Sequence, residues 1–293
     1  MDEQLVALYH RHVATAFDRR LRLAELVERK ASGAKWQYTV ATETLAFDKL
    51  KFDAPLLGTH THSNDSWLWA WANRNLKLSL TNRALGDLVR VTAGRIGVPV
   101  LAHAGFSLEP LLGPELTEHA ADVLGGVLAR ELDFDAHFVA GEGAHDSAVL
   151  VRDDRLKAAE RYPLHRILTL FPQVVKALPV FDHRAALTAY ARDYALTATV
   201  AAGVLTITDG KGTLTATFGE HDELKKLEGA DVAAPPAKKG TPSVTKKAPA
   251  KAPAKKPAGQ KAPPAKPARV SAKPAKKPAK PAPKAAKKPT KKR

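Results

Sequence analysis

Residues 56–73 read LLGTHTHSNDSWLWAWAN and hold three of the four tryptophans of the chain, Trp67, Trp69 and Trp71, two residues apart. Side chains alternate between the faces of a strand. The three indoles are therefore expected on one face, with Leu68, Ala70 and Ala72 on the other. Upstream, Leu57, Thr59 and Thr61 alternate with Gly58, His60 and His62. The segment between, Ser63-Asn64-Asp65-Ser66, has the residue types of a turn. The stretch reads as a hairpin with cross-strand pairs His62–Trp67, His60–Trp69 and Gly58–Trp71, directly opposed side chains being in contact range. Both histidines then lie on the tryptophan face, and Gly58 leaves space for the third indole. The opposite face is small or apolar, so both faces can be covered, as befits a central hairpin.

Trp67-Leu68-Trp69-Ala70-Trp71-Ala72-Asn73 resembles the signature of a bacterial domain family of unknown function. The resemblance covers roughly residues 5–155. It implies a leading amphipathic helix, a β-hairpin, a W-x-W-x-W-A-N strand and then helices, together with a bacterial origin. It implies no catalytic residues, and the two histidines are not part of the family pattern.

The rest of the chain reads outward from this centre. Upstream, Leu5, Tyr9, Val13, Ala16, Phe17, Leu21 and Leu26 recur near a period of 3.6 and predict an amphipathic helix over 3–30, stopped by Ser32-Gly33. Trp36–Val40 and Thr44–Phe47 form a hairpin pattern, with Asp48–Pro55 as a loop before the tryptophan hairpin. Downstream, helices are expected over 76–96 and 117–132, with Val98–Ala102 extended between them. Strands follow at Ala136–Ala140 and Ser147–Val151. Further helices are expected at 163–178, broken or kinked by Pro172, and at 183–194. Strands at Leu196–Val200, Val204–Thr208 and Thr213–Phe218 precede a short charged helix, His221–Glu228. Hairpins outnumber parallel crossover units, which predicts an α+β fold: an antiparallel sheet built from hairpins with packed helices, followed by a disordered basic C-terminal tail. The expected divisions are an α+β domain over 1–160, a helix-plus-hairpin extension or small subdomain over 161–230, and the tail over 231–293.

The net charge of +16 conceals two opposite halves. Residues 233–293 hold 20 of the 46 Lys and Arg and none of the 30 Asp and Glu, so residues 1–232 carry 26 cations against 30 anions, a balance of −4. Fourteen of the 21 prolines also fall in the last 61 residues, which contain no aromatic residue and only Val244 and Val270 as branched aliphatics. Such a segment cannot bury enough apolar surface to offset its ordering entropy. Its Lys-Pro-Ala units resemble the Lys/Ala/Pro-rich arms of histone H1 and of bacterial histone-like nucleoid proteins. An arm of this charge is expected to bind nucleic acid or another polyanion through phosphate contacts that read no bases. The paired lysines Lys246 and Lys247, Lys255 and Lys256, Lys276 and Lys277, Lys287 and Lys288, and the terminal Lys291, Lys292 and Arg293, are the candidate contacts.

Chemistry is harder to find in the remaining residues. The absence of cysteine excludes disulfides, thiolate zinc sites and a cysteine nucleophile, and it fits a reducing cytoplasm. The N-terminus has no apolar signal segment and no run approaches the ~20 apolar residues of a membrane span, so a cytoplasmic location with no membrane partner is expected, nucleoid-associated where the tail meets DNA. No phosphate loop, dinucleotide fingerprint, GxSxG or HExxH motif is present, and neither a catalytic residue nor a cofactor is assigned. His60-x-His62 is the sharpest metal candidate, with Asp65 or another histidine to complete it. The competing reading is two half-buried strand histidines stacked on indoles, and no metal is assigned. Trp67, Trp69 and Trp71 form a possible ligand face. Their interleaving with Leu and Ala instead of Lys and Arg favours core packing. Glu142, His145 and Asp146 make a polar loop that turn chemistry explains. The composition thus favours a nucleic-acid-associated protein. The alternatives are a protein-interaction or small-ligand module whose tail is incidental and, behind it, a metal-dependent hydrolase using His60 and His62.

Overall fold

The computed structural model describes residues 1–141, 143–157 and 160–235. Helix α1 (Glu3–Ala31) opens the chain, its first turn closed by Asp2, whose carboxylate accepts from the Leu5 amide. Its apolar stripe, Leu5, Leu8, Tyr9, Val13 and Ala16, then Leu23 and Leu26, is buried. Three antiparallel strands follow: β1 (Trp36–Thr39), β2 (Thr44–Phe47) and β3 (Leu50–Asp53). The third replaces part of the loop expected over Asp48–Pro55. Asp48 takes a left-handed conformation (φ 55°), which turns the chain in two residues and pairs Phe47 with Leu50.

The central sheet has five antiparallel strands. They are β4 (Leu56–Thr61), β5 (Ser66–Trp69), β6 (Gly105–Ser107), β7 (Ala136–Gly141) and β8 (His145–Val151), in the spatial order β6-β5-β4-β8-β7. The tryptophan hairpin is thus at its middle. Its register differs from the expected one: His60 faces Trp67 and Gly58 faces Trp69. The cause is the turn. Asp65 is left-handed (φ 44°), so the turn spans 62–65 and pairing resumes at Ser66, one residue early on each strand. The shift is even, so His60, Gly58, Trp67 and Trp69 keep their common face. Trp71 is not in the strand at all. Residues Ala70–Ala72 form a 3₁₀ turn, and Trp71 lies against Gly86 and under the Arg90 guanidinium, 4.0 Å from its ring centre. The indole over Gly58 is that of Trp67, not Trp71: a Cβ there would come within 2.6 Å of its Cζ2.

The two faces of this sheet are both covered. One, with Trp67, Trp69, Ala148 and Leu150, joins the main core with α1 and α5 (Ala120–Glu131). The other, with Leu56, Ala136, Val149 and Val151, joins Leu45, Phe47 and Phe52 of the three-stranded sheet in a second core. Helix α2 (Leu80–Arg95) begins at Ser79, whose hydroxyl accepts from the Asn82 amide. Residues Pro99–Ala102 form a 3₁₀ turn where an extended segment was expected, and two single-turn helices, α3 (Glu109–Leu112) and α4 (Pro114–Thr117), lead into α5.

Helix α6 (Pro163–Ala177) runs through Pro172 without the expected break, and α7 (His183–Asp193) follows it. Strands β9 (Thr197–Ala201), β10 (Val204–Thr208), β11 (Thr213–Phe218) and β12 (Leu224–Ala230) form a four-stranded antiparallel sheet. The expected charged helix over His221–Glu228 is therefore a strand, paired along β11. A register irregularity at Thr217/Phe218 lets Leu224 and Leu227, three residues apart, both pack against the main core, where a regular strand would separate them. Buried Asp18 of α1 ties these parts together. It accepts from Arg166 Nε of α6 at 2.8 Å, from the Tyr194 hydroxyl after α7, and from Arg22 Nε at 3.4 Å. The tail expected over 231–293 lies outside the described residues from 236 onward. Among the described residues no helix is long and apolar enough to cross a membrane.

Candidate functional site

His60 lies in the middle of the five-stranded sheet. In register it sits between Trp67 of β5 and Asp146 of β8, on the face shared with Gly58 and Ala148. His62 is one residue beyond the end of β4, its amide donating to the Ala144 carbonyl at 3.1 Å. The two imidazoles meet at a ring-centre separation of 4.5 Å. His62 Nε2 is 3.3 Å from Asp146 Oδ2, and His60 Nε2 is 3.5 Å from Asp65 Oδ1 at the hairpin turn. Neighbouring strands and one turn thus bring together a cluster that sequence order divides into two segments some 80 residues apart.

The environment is uneven across the cluster. His60 is 1 % exposed, His62 38 % on its side chain. Burial, and then the neighbouring His62, hold His60 below the ordinary histidine range, against the opposing pull of Asp65 and Asp146. Nδ1 of His60 has no hydrogen-bond partner among the described residues, and its Nε2 meets only the Asp65 carboxylate, at 3.5 Å. The cluster opens on a cleft of about 590 Å³, whose other walls are Glu109, Pro114, Thr117 and Glu118. One oxygen and two nitrogens of His60, His62 and Asp146 all fall within 4.8 Å of one another.

The structure thus brings His60 and His62 together and adds Asp146, which sequence reasoning had assigned to a separate polar loop. His145, its neighbour, is exposed and points elsewhere in the strand alternation; Glu142 lies outside the described residues. The missed signal was pairing of β4 with β8, which local patterning does not encode. Trp67 and Trp69 are 1 % and 0 % exposed and offer no surface to a ligand. The expected ligand face therefore reduces to half-buried Trp71, capped by Arg90. The tail residues Lys246, Lys247, Lys255, Lys256, Lys276, Lys277, Lys287, Lys288, Lys291, Lys292 and Arg293 lie outside the described residues.

A second polar cluster sits between α1 and α5. Asp122 is 3.1 Å from His137 Nε2 and paired with Arg20. Burial alone would raise its carboxyl, but His137 and Arg20 outweigh that and hold it down, from 3.8 to about 2. Gly125 and Gly126 of α5 make room for the His137 ring, 3.0 Å and 3.5 Å from where their side chains would start. Only about 10 Å³ of free space lies beside this part-exposed cluster, which reads as a structural tie.

The fold is that of an α+β protein with three antiparallel sheets. The chain belongs to a family of unknown function, DUF6882, whose model matches residues 6–154. That span runs from α1 to the end of β8 and includes His60, His62 and Asp146, whereas α6, α7 and the four-stranded sheet lie beyond it. No curated protein and no solved structure matches the chain.

Proposed function

We propose that this is a nucleic-acid-associated protein, held to DNA or RNA by non-specific phosphate contacts of its basic tail. The observation that carries the reading is the charge partition: 20 cations and no anion in residues 233–293, beside a folded part with a balance of −4. Cations that neutralise phosphates release condensed counterions, and that release drives binding without regard to sequence. Spaced lysines follow a backbone as point charges without reading bases. The tail supplies the tether, and the folded part is the cargo kept near the polymer. The same reading places the protein in the cytoplasm, at the nucleoid when the polymer is DNA.

A mobility shift on duplex DNA tests this with the full chain and with a chain ending at Pro235, which keeps β12 intact. The full chain is expected to bind at low salt and to weaken steeply as salt rises, and the shortened chain to lose the shift. Equal binding by both, or binding that is flat with salt, overturns the reading. A second reading, a small-ligand module, is favoured by one observation, the 590 Å³ cleft over the histidine cluster.

A further inference from the structure

We propose that His60, His62 and Asp146 form a binding site for one divalent d-block cation of the zinc type, with Asp65 at its rim. The site is independent of the tail and would stand if the nucleic-acid reading fell. Its first support is spacing. In a tetrahedral site with metal–ligand bonds near 2.0–2.1 Å, donor atoms sit about 3.3 Å apart. His62 Nε2 and Asp146 Oδ2 are 3.3 Å apart, and His60 Nε2 and Asp65 Oδ1 are 3.5 Å apart. The donors of the three central residues all lie within 4.8 Å of one another, so a small contraction suffices.

The second support is the state of His60. It is 1 % exposed, its Nδ1 has no hydrogen-bond partner among the described residues, and its Nε2 has only the long 3.5 Å approach of Asp65 Oδ1. A buried polar atom left unpaired costs free energy, and such groups in folded proteins call for an explanation. A cation on one ring nitrogen provides one for that atom. Strand pairing also fixes the backbone: His60 is paired on one side with Trp67 and on the other with Asp146, as a preorganised ligand set requires.

The donor chemistry selects the ion. Two imidazoles with a carboxylate suit zinc and its neighbours, whereas calcium and magnesium prefer all-oxygen shells. No thiolate is available, since the chain has no cysteine. Three protein ligands leave a fourth position, for Asp65 or for water, and it faces the cleft lined by Glu109 and Glu118.

The test uses the full chain purified without a histidine tag, stripped with a chelator and dialysed against Zn²⁺. One equivalent per chain is expected, and Co²⁺ in its place is expected to give the visible absorption of a tetrahedral site. His62→Ala and Asp146→Asn, chosen because both side chains are partly exposed, are expected to weaken binding at least about tenfold. His145→Ala, exposed and outside the cluster, is expected to bind as the parent does. Far-UV circular dichroism checks that the variants are folded. Absence of stoichiometric zinc in the parent chain overturns the proposal, and so does unchanged affinity in both folded cluster variants.

Discussion

Replacing Asp18 by alanine is expected to destabilise the folded part by about 3–5 kcal/mol, the range for removing one partner of a buried ion pair. Asp18 is 3 % exposed and sits among two guanidinium groups and a phenol. Arg166 reaches it through Nε at 2.8 Å and Nη2 at 2.7 Å, Arg22 through Nε at 3.4 Å, and Tyr194 through its hydroxyl. Alanine leaves both arginines, whose side chains are mostly buried, without their shared carboxylate. Glu25, 2.8 Å from Arg166, and Glu160, 3.3 Å from Arg22, compensate only part of each charge. The value expected is therefore nearer 3 than 5 kcal/mol. For a folded part of this size, each kcal/mol lowers the melting midpoint by about 2–4 °C, so a fall of about 6–12 °C is expected. Urea unfolding followed by tryptophan fluorescence measures the free energy directly. Asp87→Ala, which removes an exposed pair with Arg90, is the control and should cost no more than about 0.5 kcal/mol. A loss below about 1 kcal/mol for Asp18→Ala would refute the view that this carboxylate joins α1 to α6 and α7.

Gly58→Ala places a Cβ 2.6 Å from Trp67 Cζ2 and 2.8 Å from the Leu68 carbonyl, neither of which can yield easily. It is expected to cost about 3 kcal/mol, the upper end for overpacking, read from the urea midpoint. Asp122 is held below its ordinary value, from 3.8 to about 2, so its contribution of about 2 kcal/mol is complete above about pH 5 and is lost as pH falls through about 2. Asp122→Asn is expected to flatten that part of the acid-unfolding curve, and an unchanged acid limb counts against the tie to His137 and Arg20. For the tail, engagement of half of its 20 cations gives a slope of log K against log salt of about −9. A chain ending at Arg269 keeps 10 of them and is expected to show about half the slope of the full chain in the same titration. Equal slopes would mean that the lost lysines make no phosphate contacts.

Where the fold was legible, the signal was local. Period 3.6 marked α1, and alternation marked β4, β5, β10 and β11, because in these segments the buried face is written into adjacent residues. The segments that were misread take their form from a partner. Leu224 and Leu227 look helical at a spacing of three, and β11 with its irregularity makes them a strand. Strand β6 is three residues long and exists because β5 offers an edge. Residues 50–53 became β3 because Asp48 tolerates a left-handed turn that brings Phe52 into the second core. Two of the three central residues of the candidate site were visible as His60-x-His62, with Asp65 as a rim candidate. Asp146 was not, since only the pairing of β4 with β8 sets it opposite His60.

By itself the sequence determined that a mildly acidic, cysteine-free α+β part precedes a basic arm, and that the tryptophan hairpin lies at the centre of the fold. Charge counts and short-range periodicity suffice for that, since both are properties of neighbouring residues. Only the tertiary structure decided which indole covers Gly58, that Trp67 and Trp69 are core, and that a third ligand joins the two histidines. Those outcomes turn on register, and the register of the hairpin was set by one left-handed residue, Asp65, whose conformation moved every cross-strand partner by two residues.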